Sequence, residues 1–172
     1  MRVTAVIGLI GAGLLLAGCG SGTVSGDADA EGTAAGEPVF SPCDDIPVDL
    51  LEVAGVDPAT AERDIDGVKQ PGWNRCRWAA EDYSLTVFAT TRTMSEIRAN
   101  ERNTDFVDYQ VAGRDALAYR ETSDLNRERC DVAMASDGGA SIVRINVYRA
   151  DTRTACEQAL ALATVLSPSI PE

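Results

Sequence analysis

Residues 130–147 read CDVAMASDGGASIVRINV. Cys130, Val132 and Met134 alternate with Asp131, Ala133 and Ala135, which is the period of two expected of a strand. Asp137-Gly138-Gly139 is a tight-turn signal, and after it Val143, Ile145 and Val147 alternate with Arg144 and Asn146. Two such runs joined by so short a connection form a hairpin, and a hairpin commits its strands to antiparallel pairing.

The pattern extends in both directions. Upstream, Cys76, Trp78 and Ala80 alternate with Arg75 and Arg77, Glu81-Asp82 turns the chain, and a second strand runs from Tyr83 to Thr91. Val107, Tyr109 and Val111 alternate, and Gly113 turns the chain into a strand from Ala116 to Glu121. Three helices are expected around these strands. The first starts at Asp44 and Asp45, carries Leu50, Leu51 and Val53, tolerates Pro47 in its first turn and stops near Gly55. The second opens on Thr93-Met94-Ser95-Glu96, a capping box, and runs to about Arg102. The third opens on Thr154-Ala155-Cys156-Glu157, repeats Ala155, Ala159, Leu162, Ala163 and Leu166 at helical spacing, and ends at Pro168. The Asp-, Gly- and Pro-rich stretch from Gly55 to about Asn74 reads as a loop. The expected fold is therefore α+β: an antiparallel sheet of about six strands packed with three helices.

The chain of 172 residues allows one domain of ordinary size. Its 27 acids against 15 bases give a net charge of −12, which argues against a nucleic-acid partner. It contains no histidine, so His-based catalytic triads and His-ligated zinc sites are excluded.

Residues 1–18 read as a lipoprotein signal peptide. Arg2 supplies the positive start, and Ala5 to Leu16 form an apolar run too short to span a bilayer of about 30 Å. Leu16-Ala17-Gly18-Cys19 is a lipobox, with small residues before the cleavage point and a thiol at Cys19 to take a diacylglycerol. Each buried methylene contributes roughly 0.8 kcal/mol, so the two or three acyl chains expected there, palmitate among them, make a stable membrane anchor. Residues 19–37 read as the lipidated N-terminus and a disordered tether rich in Gly, Ala and Asp. The domain then occupies residues 38–172, expected on the outer face of the cytoplasmic membrane. After cleavage 14 bases remain against 27 acids, and all but Lys69 are arginine, a skew typical of GC-rich genomes.

With Cys19 committed to lipid, Cys43, Cys76, Cys130 and Cys156 remain. An even number in an exported domain implies two disulfides, with three possible connectivities. Cys43–Cys76 and Cys130–Cys156 are expected, because each pair joins a helix start to a strand. No CxxC pair exists for zinc or for redox exchange.

Phe40-Ser41-Pro42-Cys43 after a lipobox and tether, Cys76-Arg77-Trp78, Val111-Ala112-Gly113-Arg114-Asp115-Ala116, Cys130 opening a strand, and Cys156-Glu157-Gln158-Ala159 before Leu162-Ala163 together resemble an actinobacterial lipoprotein family of mycobacterial type. That family is a domain of unknown function with four cysteines in an exported domain. The resemblance implies an envelope lipoprotein and carries over no catalytic residue. The topology is also similar to the small α/β sandwich of the PsbP type, an analogy that does not fix function.

Other candidates have simpler readings. Glu62, Asp64, Asp66 and Gly67 resemble half a calcium loop, but the twelfth position falls on Trp73 instead of a bidentate Glu. Asp44, Asp45, Asp49 and Glu52 offer a carboxylate cluster, which helix-dipole preference also explains. Trp73 and Trp78 are candidate cleft residues, although Trp78 keeps step with Cys76 and reads as core. Arg75, Arg77, Arg92, Arg98 and Arg102 are candidates for an anion site or for surface ion pairs. Lys69 is a poor substitute base. No cofactor, no metal and no catalytic residue is expected. The leading reading is a non-catalytic envelope module that binds a protein, a lipid or a cell-wall component. The alternatives are an accessory subunit or inhibitor of an exported enzyme, and a carboxylate-based hydrolase.

Overall fold

The computed structural model describes residues 36–149 and 153–172. The signal segment, Cys19 and the tether up to residue 35 lie outside the described residues. The elements run α1 (Pro42–Asp45), α2 (Val48–Val53), β1 (Asp57–Arg63), α3 (Asp64–Gly67), β2 (Trp73–Ala79), β3 (Tyr83–Thr90), α4 (Met94–Ala99), β4 (Asn103–Val111), β5 (Arg114–Glu121), β6 (Arg129–Ser136), β7 (Gly139–Val147) and α5 (Ala155–Leu166), with a 3₁₀ turn at Ser167–Ser169. The strands form one sheet in the order β1-β2-β3-β7-β6-β5-β4, antiparallel at every pairing.

The expectation of about six strands and three helices is corrected in its counts, while the α+β class and the antiparallel sheet stand. The described residues hold seven strands in one sheet, with four helical segments of four or six residues and α5 of twelve. The added strand is β1, whose seven residues Asp57 to Arg63 were expected to be loop. They lack apolar alternation and contain Pro58, as suits an exposed edge strand. Its pairing with β2 is irregular between Asp57 and Glu62, where the Thr60 Oγ1 accepts from the Ala79 amide at 2.8 Å. The first expected helix is split into α1 and α2 at Pro47, which caps α2. Asp64 to Gly67 form the short α3.

Both capping boxes are present: Thr93 with Glu96 opens α4, and Thr154 with Glu157 opens α5. The β6–β7 hairpin depends on glycine for space as well as for its turn. Gly138 has φ of +75°, and a Cβ on Gly139 would stand 2.0 Å from the Thr90 carbonyl oxygen.

Alternation divides the sheet into two unlike faces. One carries Trp78, Leu85, Val87, Val132, Met134, Val143 and Ile145, and buries them against Ala159, Leu162, Ala163 and Leu166 of α5 and against Leu51 of α2. Both disulfides belong to this side. Cys43 of α1 is joined to Cys76 of β2 with Cα atoms 5.2 Å apart, and Cys130 of β6 to Cys156 of α5 at 4.9 Å. These are the two pairs named from the sequence. The other face carries a smaller apolar cluster of Phe88, Ile97, Leu117, Tyr119, Ala133 and Ile142, and α4 covers only part of it. Among the described residues no helix is long and apolar enough to cross a membrane.

Candidate functional site: the partly covered face of the sheet

The hairpin of residues 130–147 places Asp131 directly opposite Arg144 on this second face. Asp131 is 1% exposed, a carboxylate removed from water at the centre of the sheet. Arg144 holds it with two bonds, Nε to Oδ1 at 2.6 Å and Nη2 to Oδ2 at 3.0 Å. The same Nη2 donates to Oε1 of Glu121 at 2.6 Å, and Arg129 Nη1 donates to the other Glu121 oxygen at 3.1 Å. Two carboxylates and two guanidinium groups thus form a chain across β5, β6 and β7 with matched charge. Burial pushes the Asp131 carboxyl above its ordinary range, against the pull of Arg144. Burial works against the charge on Arg144, but Asp131 and Glu121 outweigh it and hold the guanidinium firmly protonated. The neighbouring Tyr119 hydroxyl is pushed up, first by burial and then by the Asp131 charge.

Aromatic rings adjoin this chain. Trp73 meets Phe88 edge to face with ring centres 6.1 Å apart, and the Arg144 guanidinium lies 5.1 Å from the centre of the Phe88 ring. Two cavities of about 370 and 270 Å³ open here, both bordered by Trp73, Asn100, Asn103, Glu121 and Arg144. Tyr119, Arg92, Glu96 and Ile97 complete the first, and Gln70, Arg75, Phe88, Arg102 and Ile142 the second. A larger groove of about 790 Å³ lies between α4 and the β4–β5 hairpin, where Arg98 and Asp108 are already paired with each other.

The sequence candidates separate on this frame. Trp73 reaches the cleft, whereas Trp78 is 1% exposed in the core of the opposite face. Of the five arginines, Arg75, Arg92 and Arg102 border the cleft; Arg75 also donates to the Val68 carbonyl at 3.0 Å, and Arg92 pairs with Glu96. Arg77 is engaged by Glu62 and by the Tyr148 hydroxyl, and Arg98 by Asp108 and the Phe106 ring.

The acids of the half calcium loop do not converge, because the Glu62 carboxylate goes to Arg77 at 3.3 Å. Among the described residues no group of three or more His, Cys, Asp or Glu side chains is placed to hold a metal ion. Asp44 accepts from Ser41 and pairs with Arg63 at 2.6 Å, which holds its carboxyl below the ordinary range, and Asp45 accepts from the Ser41 amide. These two acids cap α1 and tie it to β1. Lys69 pairs with Glu37 at 3.6 Å.

Arg144, Asp131, Glu121 and Tyr119 were not singled out from the sequence. A signal for the first two was present. A turn at Asp137-Gly138 pairs Ser136 with Gly139, and counting back along both strands sets Asp131 against Arg144.

The model of a family described as a protein of unknown function (DUF3558) matches residues 14–169. The chain belongs to this family. The match covers the sheet, both disulfides and the cleft. Comparison with curated proteins and with solved structures found no match.

Proposed function

We propose that the chain is an exported, lipid-anchored envelope protein of actinobacterial type, whose domain is a non-catalytic binding module. The order of Arg2, the apolar run, the lipobox at Cys19 and the Gly/Ala/Asp-rich tether supports export and anchoring. So do two disulfides, which persist in oxidising compartments. The family match opens at residue 14, so the lipobox falls within it.

The observation that carries the binding reading is the state of the carboxylates on the second face. Asp131 is buried beneath Arg144, and both Glu121 oxygens are taken by arginines. A carboxylate-based hydrolase needs an acid and a base that reach substrate. This arrangement instead leaves arginine, amide and ring surface toward the cleft, which is the equipment of a recognition site.

Cross-linking in intact cells, followed by mass spectrometry, tests the role. The expected result is membrane-fraction protein with a defined cross-linked partner or wall component, both lost in Cys19→Ala. Unchanged membrane association and labelled fatty-acid incorporation in Cys19→Ala would contradict the anchor. Turnover of glycan, ester or peptide substrates that disappears on replacing Glu121 would contradict the non-catalytic role.

A further inference from the structure

We propose that the cleft between α4 and the Arg144 network, the site on which the binding-module reading rests, takes a compact monocarboxylate carried on a ring, of the uronate type.

Arg144 has spent Nε and Nη2 on Asp131 and Glu121, but its Nη1 meets no acceptor among the described residues. The residue borders both cavities, and this one terminal nitrogen, with its two N–H donors, is what the guanidinium has left to offer there. A charged N–H donor of this kind bonds a carboxylate oxygen strongly. Arg102 borders the second cavity and forms no ion pair among the described residues. It adds a second positive charge beside the first. Trp73 is partly exposed at the shared wall and stands at 85° to Phe88, so those two rings do not stack on one another. A flat or pyranose ring can rest against it.

The charge balance selects the size of the anion. Asp131 and Glu121 already share Arg144, and the whole chain carries −12. A dianion or a polyanion meets repulsion that a single carboxylate at short range largely escapes. The cavity that Arg102 borders holds about 270 Å³ and shares Trp73, Asn100, Asn103, Glu121 and Arg144 with the one of about 370 Å³; volumes at or just below the small end of ligand sites leave room for one ring and its carboxylate.

Calorimetric titration of the full chain in detergent with glucuronate, glucose and inorganic phosphate, each alone, tests this. Glucuronate is expected to saturate, with glucose and phosphate at least about tenfold weaker. Arg102→Ala is expected to weaken glucuronate about tenfold or more while leaving the thermal midpoint unchanged. Trp73→Ala is expected to weaken glucuronate and glucose alike. Three results would each overturn the assignment: no saturation by glucuronate up to about 10 mM, equal binding of glucose or phosphate, or unchanged affinity in Arg102→Ala. If glucuronate fails while Cys19-dependent cross-links persist in cells, the ligand class falls and the envelope role stands. If glucuronate saturates while Cys19→Ala leaves membrane association and fatty-acid incorporation unchanged, the ligand class stands and the envelope anchor falls.

Discussion

The two faces of the sheet meet opposite demands with the same seven strands. On the α5 side, large apolar residues interlock with the helix, and two disulfides fasten the layers. On the α4 side, a six-residue helix covers part of the sheet, and the centre is occupied by an ion chain rather than by aliphatic packing. Apolar burial contributes roughly 25 cal/mol per Å², whereas a buried ion pair repays little beyond its desolvation. The first face therefore holds the fold, and the second keeps charge in place at the cleft proposed above as a recognition site. The contrast teaches that an expensive buried group is informative about function when a cheaper apolar one would fit the same position.

The largest predicted effect strikes the second face from within. Arg144→Ala leaves Asp131 buried without its partner, and urea unfolding is expected to show a loss of about 3–5 kcal/mol. A loss under about 1 kcal/mol would mean that water reaches Asp131 and that the two faces differ less than described. Next comes the first face. Removing the Cys130–Cys156 bridge, which closes 26 residues, is expected to cost about 3.5 kcal/mol in the same measurement. The Cys43–Cys76 bridge, closing 33, is expected to cost a similar amount.

The helix caps sharpen the comparison on a smaller scale. Thr154→Ala is expected to lower stability by about 1 kcal/mol. Thr93→Ala is expected to cost less, because α5 buries six residues and α4 buries only Ile97. Equal effects would show that α4 matters to the fold as much as α5 does.

Ser141 lies on the apolar face, fully buried, and its hydroxyl is the one buried side-chain polar atom without a partner among the described residues. Ser141→Ala is therefore expected to raise stability by about 1 kcal/mol, seen as a higher urea midpoint with unchanged slope. A fall would mean that the hydroxyl has a partner.

The smallest effect is that of pH on the caps. The Thr93 amide, then Arg92 and the Thr93 hydroxyl, hold the Glu96 carboxyl down to about 2 from an ordinary 4.5. Glu157 is lowered by the Thr154 amide and hydroxyl in the same way. A lowered carboxyl contributes stability that is fully present above its unfolded value and is lost as pH falls through the folded one. The thermal midpoint is expected to decline between about pH 4.5 and 2, less steeply in Glu96→Gln.

Much of the first face was legible from the sequence. Val132, Val143 and Ile145 alternate cleanly because one face of each strand is dry, and the caps at Thr93 and Thr154 carry their own local chemistry. What escaped was governed by partners distant in sequence. β1 is a strand because β2 offers it an edge, and its residues from Asp57 to Arg63 remain mostly exposed, so no hydrophobic period marks it. Asp131 and Arg144 occupy the positions that alternation assigns to solvent. Asp131 is shielded among Tyr119, Glu121 and Arg144 on the neighbouring strands, while Arg144, beside Phe88, stays partly exposed at the cleft. Trp73 and Trp78 were separable by parity alone, five residues apart and hence on opposite faces.

The central claim is that the Arg144–Asp131 pair serves the cleft and not the fold. Its most direct test is a double-mutant cycle in urea, with Arg144→Met, Asp131→Val and the two together, each also titrated with glucuronate. Each single replacement is expected to lose about 3–5 kcal/mol. The double replacement is expected to recover to within about 1 kcal/mol of the parent while losing glucuronate binding. A double variant as unstable as either single one, or one that is stable and still binds glucuronate, would contradict the account.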